Sequence, residues 1–404
     1  MIGLGLGPIH VSHPFEQYAH LCFARVAARS ATFTGVPRAA GPIEHGGDVL
    51  VGAAAGTAEP QVRIRARGEL CERMSNVLAG RRAESCSPEI SFVLLRRRGA
   101  PAIDPRAWPE LSTVPDIRER PLVWVTGVSL ADHREVLVPA CAAFVRHRPP
   151  SGGPPPMSPG SAGLSAHRTV ESARRHGLLE VLERDLFWRA WYDGAPRTIL
   201  TSCETVPELD ALGLVRTILL IPGPARTACI VVCLAEYTGC HQSFGLRATA
   251  DDDELAIDSA TEIATNEALM VRWSMRTPSA RSSRHTLART QSPRGPLQHA
   301  VHTFYRQDSL DHLLGPADRG SDDRPFRGDP VGAVRDHDLV GALGDHTGED
   351  VVWVDTTIAG IAVESDQPAT VGRVVAPGAR RLPDHEEQIP SHPEARNRLP
   401  HPLG

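Results

Sequence analysis

A chain of 404 residues that is 41% hydrophobic and 23% charged can bury one large core or two ordinary ones. Its net charge of −5 excludes a general nucleic-acid footprint, and no stretch approaches the roughly 18 apolar residues of a membrane span. All 43 basic residues are arginine, which excludes a Walker A lysine, a Schiff-base lysine and a biotinyl-lysine.

The start, Met1 to Val11, is apolar but short and lacks a basic n-region, so it is not read as a signal peptide. Residues 1–58 mix short apolar runs with glycine and proline and form a lead-in without an assigned element. A helix is predicted over 60–78. Strands are predicted at 91–95, 122–129 and 136–139, followed by a Pro/Gly/Ser-rich loop from Pro149 to Pro159. A second helix runs from Thr169, a good N-cap, to Trp191. Strands follow at 198–201, 217–221 and 229–234. A third helix spans 251–275, its acidic start matching the positive end of the helix dipole. Residues 59–275 make the core of the chain. Two stretches, 276–296 and 315–331, are rich in Arg, Ser, Asp, Gly and Pro and read as solvated linkers within a segment 276–331; a competing use is to bind an acidic peptide or a partner. Short helices at 297–305 and 309–314 separate them. Strands at 351–357 and 371–375 fall in a segment 332–389, and 390–404 is a proline-rich tail. Eight dispersed cysteines without a Cys-x-x-Cys pair fit a reducing, cytoplasmic setting and no structural zinc. The alternation of strands and long helices predicts a mixed α/β fold.

Two segments share one pattern. Glu69-Leu-Cys-Glu72-Arg73 and Glu180-Val-Leu-Glu183-Arg184 both read Glu-x-x-Glu-Arg in apolar surroundings. The spacing sets two carboxylates on one helix face, where they repel, and burial makes them costly unless a cation joins them. A single copy reads more readily as a solvated surface pair. Two copies point to a shared site that binds magnesium through carboxylate oxygens, with the arginines meeting phosphate. Glu262, in the third helix, is a further candidate ligand.

Ser161-Ala-Gly-Leu-Ser-Ala and the run Glu171-Ser-Ala-Arg-Arg-His-Gly-Leu-Leu-Glu-Val-Leu-Glu-Arg-Asp185 closely resemble the central motif of YcaO-domain proteins. Gly56 through Arg73, Phe244 through Glu262, Val352-Trp-Val-Asp-Thr-Thr357 and Val371-Gly-Arg-Val-Val-Ala-Pro-Gly378 resemble further segments of that family. The resemblance implies a mixed-sheet YcaO-type α/β fold with three long helices lining a nucleotide site. It implies an ATP- and Mg2+-dependent cyclodehydratase that converts Cys, Ser or Thr of a ribosomal precursor peptide to azolines, as in thiazole, oxazole and thiopeptide antibiotic biosynthesis. Amidine- or thioamide-forming relatives, and a non-catalytic subunit that binds the precursor, are the alternatives. By this resemblance Glu69, Glu72, Glu180, Glu183 and Glu262 serve the metal. Ser161, Arg73 and Arg184 serve the nucleotide, and Pro400, Pro402 and Gly404 form a shortened proline tail at the active site. The expected partners are the precursor peptide, a separate ubiquitin-activating-enzyme-like protein that binds its leader, and a flavin dehydrogenase acting downstream. Neither nucleic acid nor membrane is expected; a homodimer is compatible.

Four departures stand out. Arg65 occupies a serine position, Ala54-Ala55-Gly56 replaces Gly-Lys-Gly, His167 replaces glycine, and Thr265 and Glu267 replace glutamine and arginine. A glutamate in place of arginine weakens polyphosphate binding by repulsion, and Arg65 is the residue expected to restore the lost positive charge.

Overall fold

Three larger antiparallel sheets, beside a two-stranded pair of Ala362–Glu364 and Gln367–Pro368, are linked by three long helices in a computed structural model that describes residues 7–34, 47–251, 253–290, 293, 295–315, 336–360, 362–364, 367–383 and 399–403. The first sheet has the order β1 (His10–Ser12), β2 (Cys22–Arg29), β3 (Val49–Gly56). The second begins with β4 (Glu89–Ile90), β5 (Leu122–Ser129), β6 (Glu135–Pro139) and β7 (Leu164–His167). The third runs β11-β10-β9-β8, built from β8 (Thr198–Glu204), β9 (Leu214–Pro222), β10 (Ala228–Glu236) and β11 (Ser243–Thr249). The chain then returns to the second sheet as β12 (Val352–Asp355) and β13 (Thr370–Val375), giving the order β4-β5-β12-β13-β7 with β6 on the other edge of β5. The mixed α/β fold expected from the sequence is the fold observed.

The long helices are α1 (Glu59–Cys86), α2 (Val170–Trp188) and α3 (Glu254–Ser274). Thr169 caps α2 by accepting from Ser172 N, and Asp253 caps α3 by accepting from Ala256 N at 2.7 Å. The uninterrupted apolar run of β10 has a direct cause. Cys229, Val231 and Cys233 face the core around α2, while Ile230, Val232 and Leu234 face the core around α3. Both faces of the strand are covered, so no polar position is tolerated. α1 packs Val62, Ala66 and Leu70 on Ala24, Val26 and Ala54 of the first sheet.

Several local readings change. Residues 91–95 are not a strand: Ser91 caps a short helix, Phe92–Arg97, that buries Phe92 and Leu95. Residues 276–296 are not a linker throughout: Pro278–Thr290 is a helix that buries Ala280, Ser283 and Leu287 and exposes its arginines. The lead-in contains β2 and β3, and α1 continues to Cys86. Of the second stretch read as a linker, residues 316–331 lie outside the described residues.

The end of α2 is tied down by Asp185, which is fully buried. Its carboxylate accepts from Arg189 Nε, His346 Nε2 and Arg380 N, each at 2.7 Å. Burial works against the charge, but these bonds hold the Asp185 pKa below the usual carboxylate value. Asp185→Ala leaves three donors unmet and is expected to cost about 3–5 kcal/mol in urea denaturation; a loss below ~1 kcal/mol would remove this role.

Candidate active site

One strand from each sheet ends that sheet at a common cavity: β3, β7 and β11 are all edge strands. Their outward backbone groups are met by side chains from the helices. Along α1, Arg65, Glu69 and Arg73 recur every four residues and meet Ala55 O, Ala53 N and Val51 O of β3 in turn. The match is metric, since four helical residues rise roughly 6 Å and two strand residues roughly 6.6 Å. Glu72 accepts from Ala166 N of β7 at 3.0 Å. Glu180 accepts from Gly163 N at 3.2 Å. On β11, Leu246 N donates to Glu267 at 3.0 Å and Ala248 N to Glu183 at 2.9 Å.

Two glycines allow this approach. A Cβ on Gly52 would lie 2.1 Å from Ala66 O, and one on Gly245 would lie 2.0 Å from Ala264 O. Without a side chain at these points, α1 and α3 sit directly on β3 and β11, and the next strand amide falls within reach of a carboxylate.

The cavity, about 810 Å³, is lined by Glu69, Glu72, Glu180, Glu183 and Glu267, by Ser161, and by Arg65, Arg73, Arg168, Arg184 and Arg247. Each glutamate spends an oxygen on a backbone amide, that of a strand for all but Glu180, and keeps further lone pairs for a ligand. Two arginines already serve the acids: Arg73 lies 2.5 Å from Glu69, and Arg184 lies 3.5 Å from Glu183. For Arg184, burial opposes the charge, but Glu183, Glu267 and Glu180 outweigh it and raise the pKa. The remaining acids are frustrated. Burial, then Glu180 and Glu69, push Glu72 well above the usual carboxylate range. Burial lifts Glu180 to about 7, with Glu183 adding to the rise, and Glu267 to about 7 in the same way. His167 and His176, whose rings are 5.2 Å apart, also line the cavity; burial and then Arg247 hold His176 down to about 3 and depress His167.

This donor set fits a nucleotide with magnesium. Glu72 and Glu180 reach the cavity from two helices, and a divalent cation would relieve the repulsion that Glu180 and Glu69 exert on Glu72 and Glu183 on Glu180. Among the described residues no group of three His, Cys, Asp or Glu is close enough to hold a metal alone. Arg373, buried in β13, donates to Gly160 O at 2.8 Å and Ala162 O at 2.9 Å and so fixes the loop that carries Ser161.

Of the residues singled out in the sequence, Glu69, Glu72, Glu180, Glu183, Arg65, Arg73, Arg184 and Ser161 come together on this cavity. Glu262 does not. It lines a separate pocket of about 260 Å³ with Tyr18, Glu208 and Arg216. Glu267 takes the place on α3, because five helical residues turn the side chain by about 140°. Pro400 and Pro402 are buried off the cavity wall, where Leu399 O accepts from Trp191 Nε1 at 3.0 Å and Leu403 joins the core around α2. Gly404 lies outside the described residues. Arg247 gave one faint signal in the sequence: it is the lone charge in the strand Ser-Phe-Gly-Leu-Arg-Ala-Thr.

Among the described residues no helix is long and apolar enough to cross a membrane. An uncharacterized protein of Methanothermobacter thermautotrophicus is 31% identical over 144 residues, 36% of this chain and 35% of its own length. The chain thus matches about a third of that curated relative. The structure of YcaO from Methanopyrus kandleri bound with AMPPCP and Mg2+ is similar over 97% of this chain and 91% of its own, with a TM-score of 0.60 and 19% identity. The E. coli microcin synthetase McbBCD complex contains a chain similar over 98% of this one and 96% of its own, with a TM-score of 0.62 and 13% identity. A family model described as YcaO cyclodehydratase, ATP- and Mg2+-binding, matches residues 53–380. That match opens on Ala53, the strand residue that meets Glu69, and closes on Arg380, the residue that holds Asp185; the chain belongs to the YcaO family.

Proposed function

We propose that this chain is an ATP- and Mg2+-dependent cyclodehydratase that converts Cys, Ser or Thr of a ribosomal precursor peptide to azolines. The observation that carries the reading is the meeting of both Glu-x-x-Glu-Arg motifs on one cavity, with Glu72 opposed to Glu180. When bound, ATP would supply the phosphoryl group that removes the amide oxygen. Glu72 and Glu180 would hold the cation, supported by Glu69, Glu183 and Glu267. Arg184, anchored among three carboxylates, would orient phosphate without swinging out of the site. The buried walls limit water, which would otherwise compete for the activated amide. Net chemistry is loss of one water as the side-chain sulfur or oxygen closes on the preceding carbonyl carbon.

Partners in this proposal are the precursor peptide, a separate ubiquitin-activating-enzyme-like protein that presents its leader, and a flavin dehydrogenase that oxidises the azolines. A cytoplasmic setting suits the free cysteines. The buried end at Pro400 and Pro402 would act by bracing α2 through Trp191 rather than by touching substrate. Incubating the chain with Mg-ATP, its partner and the precursor peptide is expected to remove the mass of one water per modified residue. Nucleotide binding without any mass change would support the alternative of a precursor-binding subunit. Replacement of oxygen by sulfur in the product mass would assign thioamide formation, and a water loss that fragmentation places at an amine rather than at Cys, Ser or Thr would assign an amidine.

A further inference from the structure

Arg65 and Arg247 reach the same cavity from different walls, Arg65 from α1 and Arg247 from β11. The Arg65 guanidinium is fixed by a hydrogen bond from Nη2 to Ala55 O at 2.5 Å. That acceptor is a neutral carbonyl, so it orients the group without cancelling its charge. Burial, and next the Arg247 charge, lower the Arg65 pKa. The same Arg247 field depresses both cavity histidines. No carboxylate of the described residues forms an ion pair with either arginine, whereas Arg73 and Arg184 are paired within their own motifs. The two guanidinium groups repel; Glu262 acts on Arg65 and Glu267 feels Arg247, but neither acid closes an ion pair, so both forks stay open to an anion. Paired forks offer more donors than one carboxylate can use and suit a phosphate. On α3, meanwhile, the cavity position carries Glu267, held by Leu246 N, where the resemblance led us to expect arginine.

We propose that Arg65 and Arg247 form a clamp for the terminal phosphate of the nucleoside triphosphate, a positive charge transposed from α3 to α1 and β11. This rests on the nucleotide reading of the cavity and specifies which residues of this chain complete it. Glu267, beside Arg184, holds the position where the resemblance implies an arginine. Arg65 therefore compensates a change on another helix, and the two positions act as a pair.

Calorimetry on the full chain with Mg-ATP and with Mg-ADP, for wild type, Arg65→Gln, Arg247→Gln and Arg65→Lys, tests this. Each glutamine variant is expected to lose about tenfold in ATP affinity, with ADP affinity changed by less than about threefold. Arg65→Lys should fall between, since it keeps charge and loses the fork. Each glutamine variant should also melt at a higher temperature than wild type without nucleotide, because one of two repelling charges is gone. That gain shows that the variant is folded. Equal losses for ATP and ADP, or no loss for either, would overturn the clamp while leaving the nucleotide site in place. A wild-type protein that binds neither nucleotide would overturn the nucleotide reading and the clamp together.

Discussion

Replacing Glu180 by glutamine is expected to lower ATP-dependent turnover about 100- to 1,000-fold and to raise the melting temperature of the nucleotide-free protein. The two effects have one origin. Burial and the neighbouring Glu183 raise the cost of charging Glu180, and the Glu180 charge in turn raises that of Glu72. Glutamine keeps an oxygen that can accept from Gly163 N, so the loop is held, but it brings no charge to a cation. If Glu180 ligates the cation as proposed, losing its charge removes several kcal/mol of transition-state stabilisation, and each ~1.4 kcal/mol is tenfold in rate. The free protein, relieved of repulsion, gains stability. Steady-state rates at varied Mg2+ and a thermal melt of the same preparations check both signs. Unchanged turnover would take Glu180 out of the cation site, and a lower melting temperature would show that it serves the fold.

Stability of the nucleotide-free protein is expected to fall as pH rises from about 5 to 8. Glu180 and Glu267 have pKa values of about 7 in the fold against 4.5 for an unperturbed glutamate. The folded state binds their protons more tightly than the unfolded chain does. Their contribution is therefore full below about 4.5 and is lost as pH climbs through about 7. A rise of that size is worth roughly 3 kcal/mol per group. Urea midpoints across this range, compared between wild type and the Glu180→Gln/Glu267→Gln double variant, isolate the effect from other titrating groups. Wild type should lose stability relative to the variant as pH increases, and saturating Mg-ATP should restore most of it. Parallel curves would show that both glutamates are already ionised at pH 5.

The long helices and the site were legible because they rest on dense local signals. Thr169 followed by repeating Leu, Glu and Arg specifies a capped helix, and the two Glu-x-x-Glu-Arg copies advertise a buried charge that needs a cation. β2 and β3 were missed because Cys-Phe-Ala-Arg-Val-Ala-Ala-Arg and Val-Leu-Val-Gly-Ala-Ala-Ala-Gly are rich in alanine and glycine, which carry little strand preference. Phe92–Arg97 was misread because a short apolar run does not distinguish strand from helix; the Ser91 cap decides it. Pro278–Thr290 looked like a linker because its buried face is only Ala280, Ser283 and Leu287. Glu262 and Glu267 illustrate a different limit. A motif gives the helix, but helical phase gives the face, and phase is set by where Gly245 lets α3 rest on β11. Arg247 lies on a strand and carries no motif, so only folding brings it opposite Arg65.

The glutamates on the cavity wall have a second consequence for any peptide that enters. Ala53, Ala166, Leu246 and Ala248 would be the amides on which an incoming extended chain could add itself as a further strand. Each is already taken by a carboxylate. A substrate in this cavity thus cannot extend β3, β7 or β11 through these amides without displacing a glutamate. A peptide substrate of the proposed reaction would therefore be held in this cavity through contacts other than strand addition at these amides.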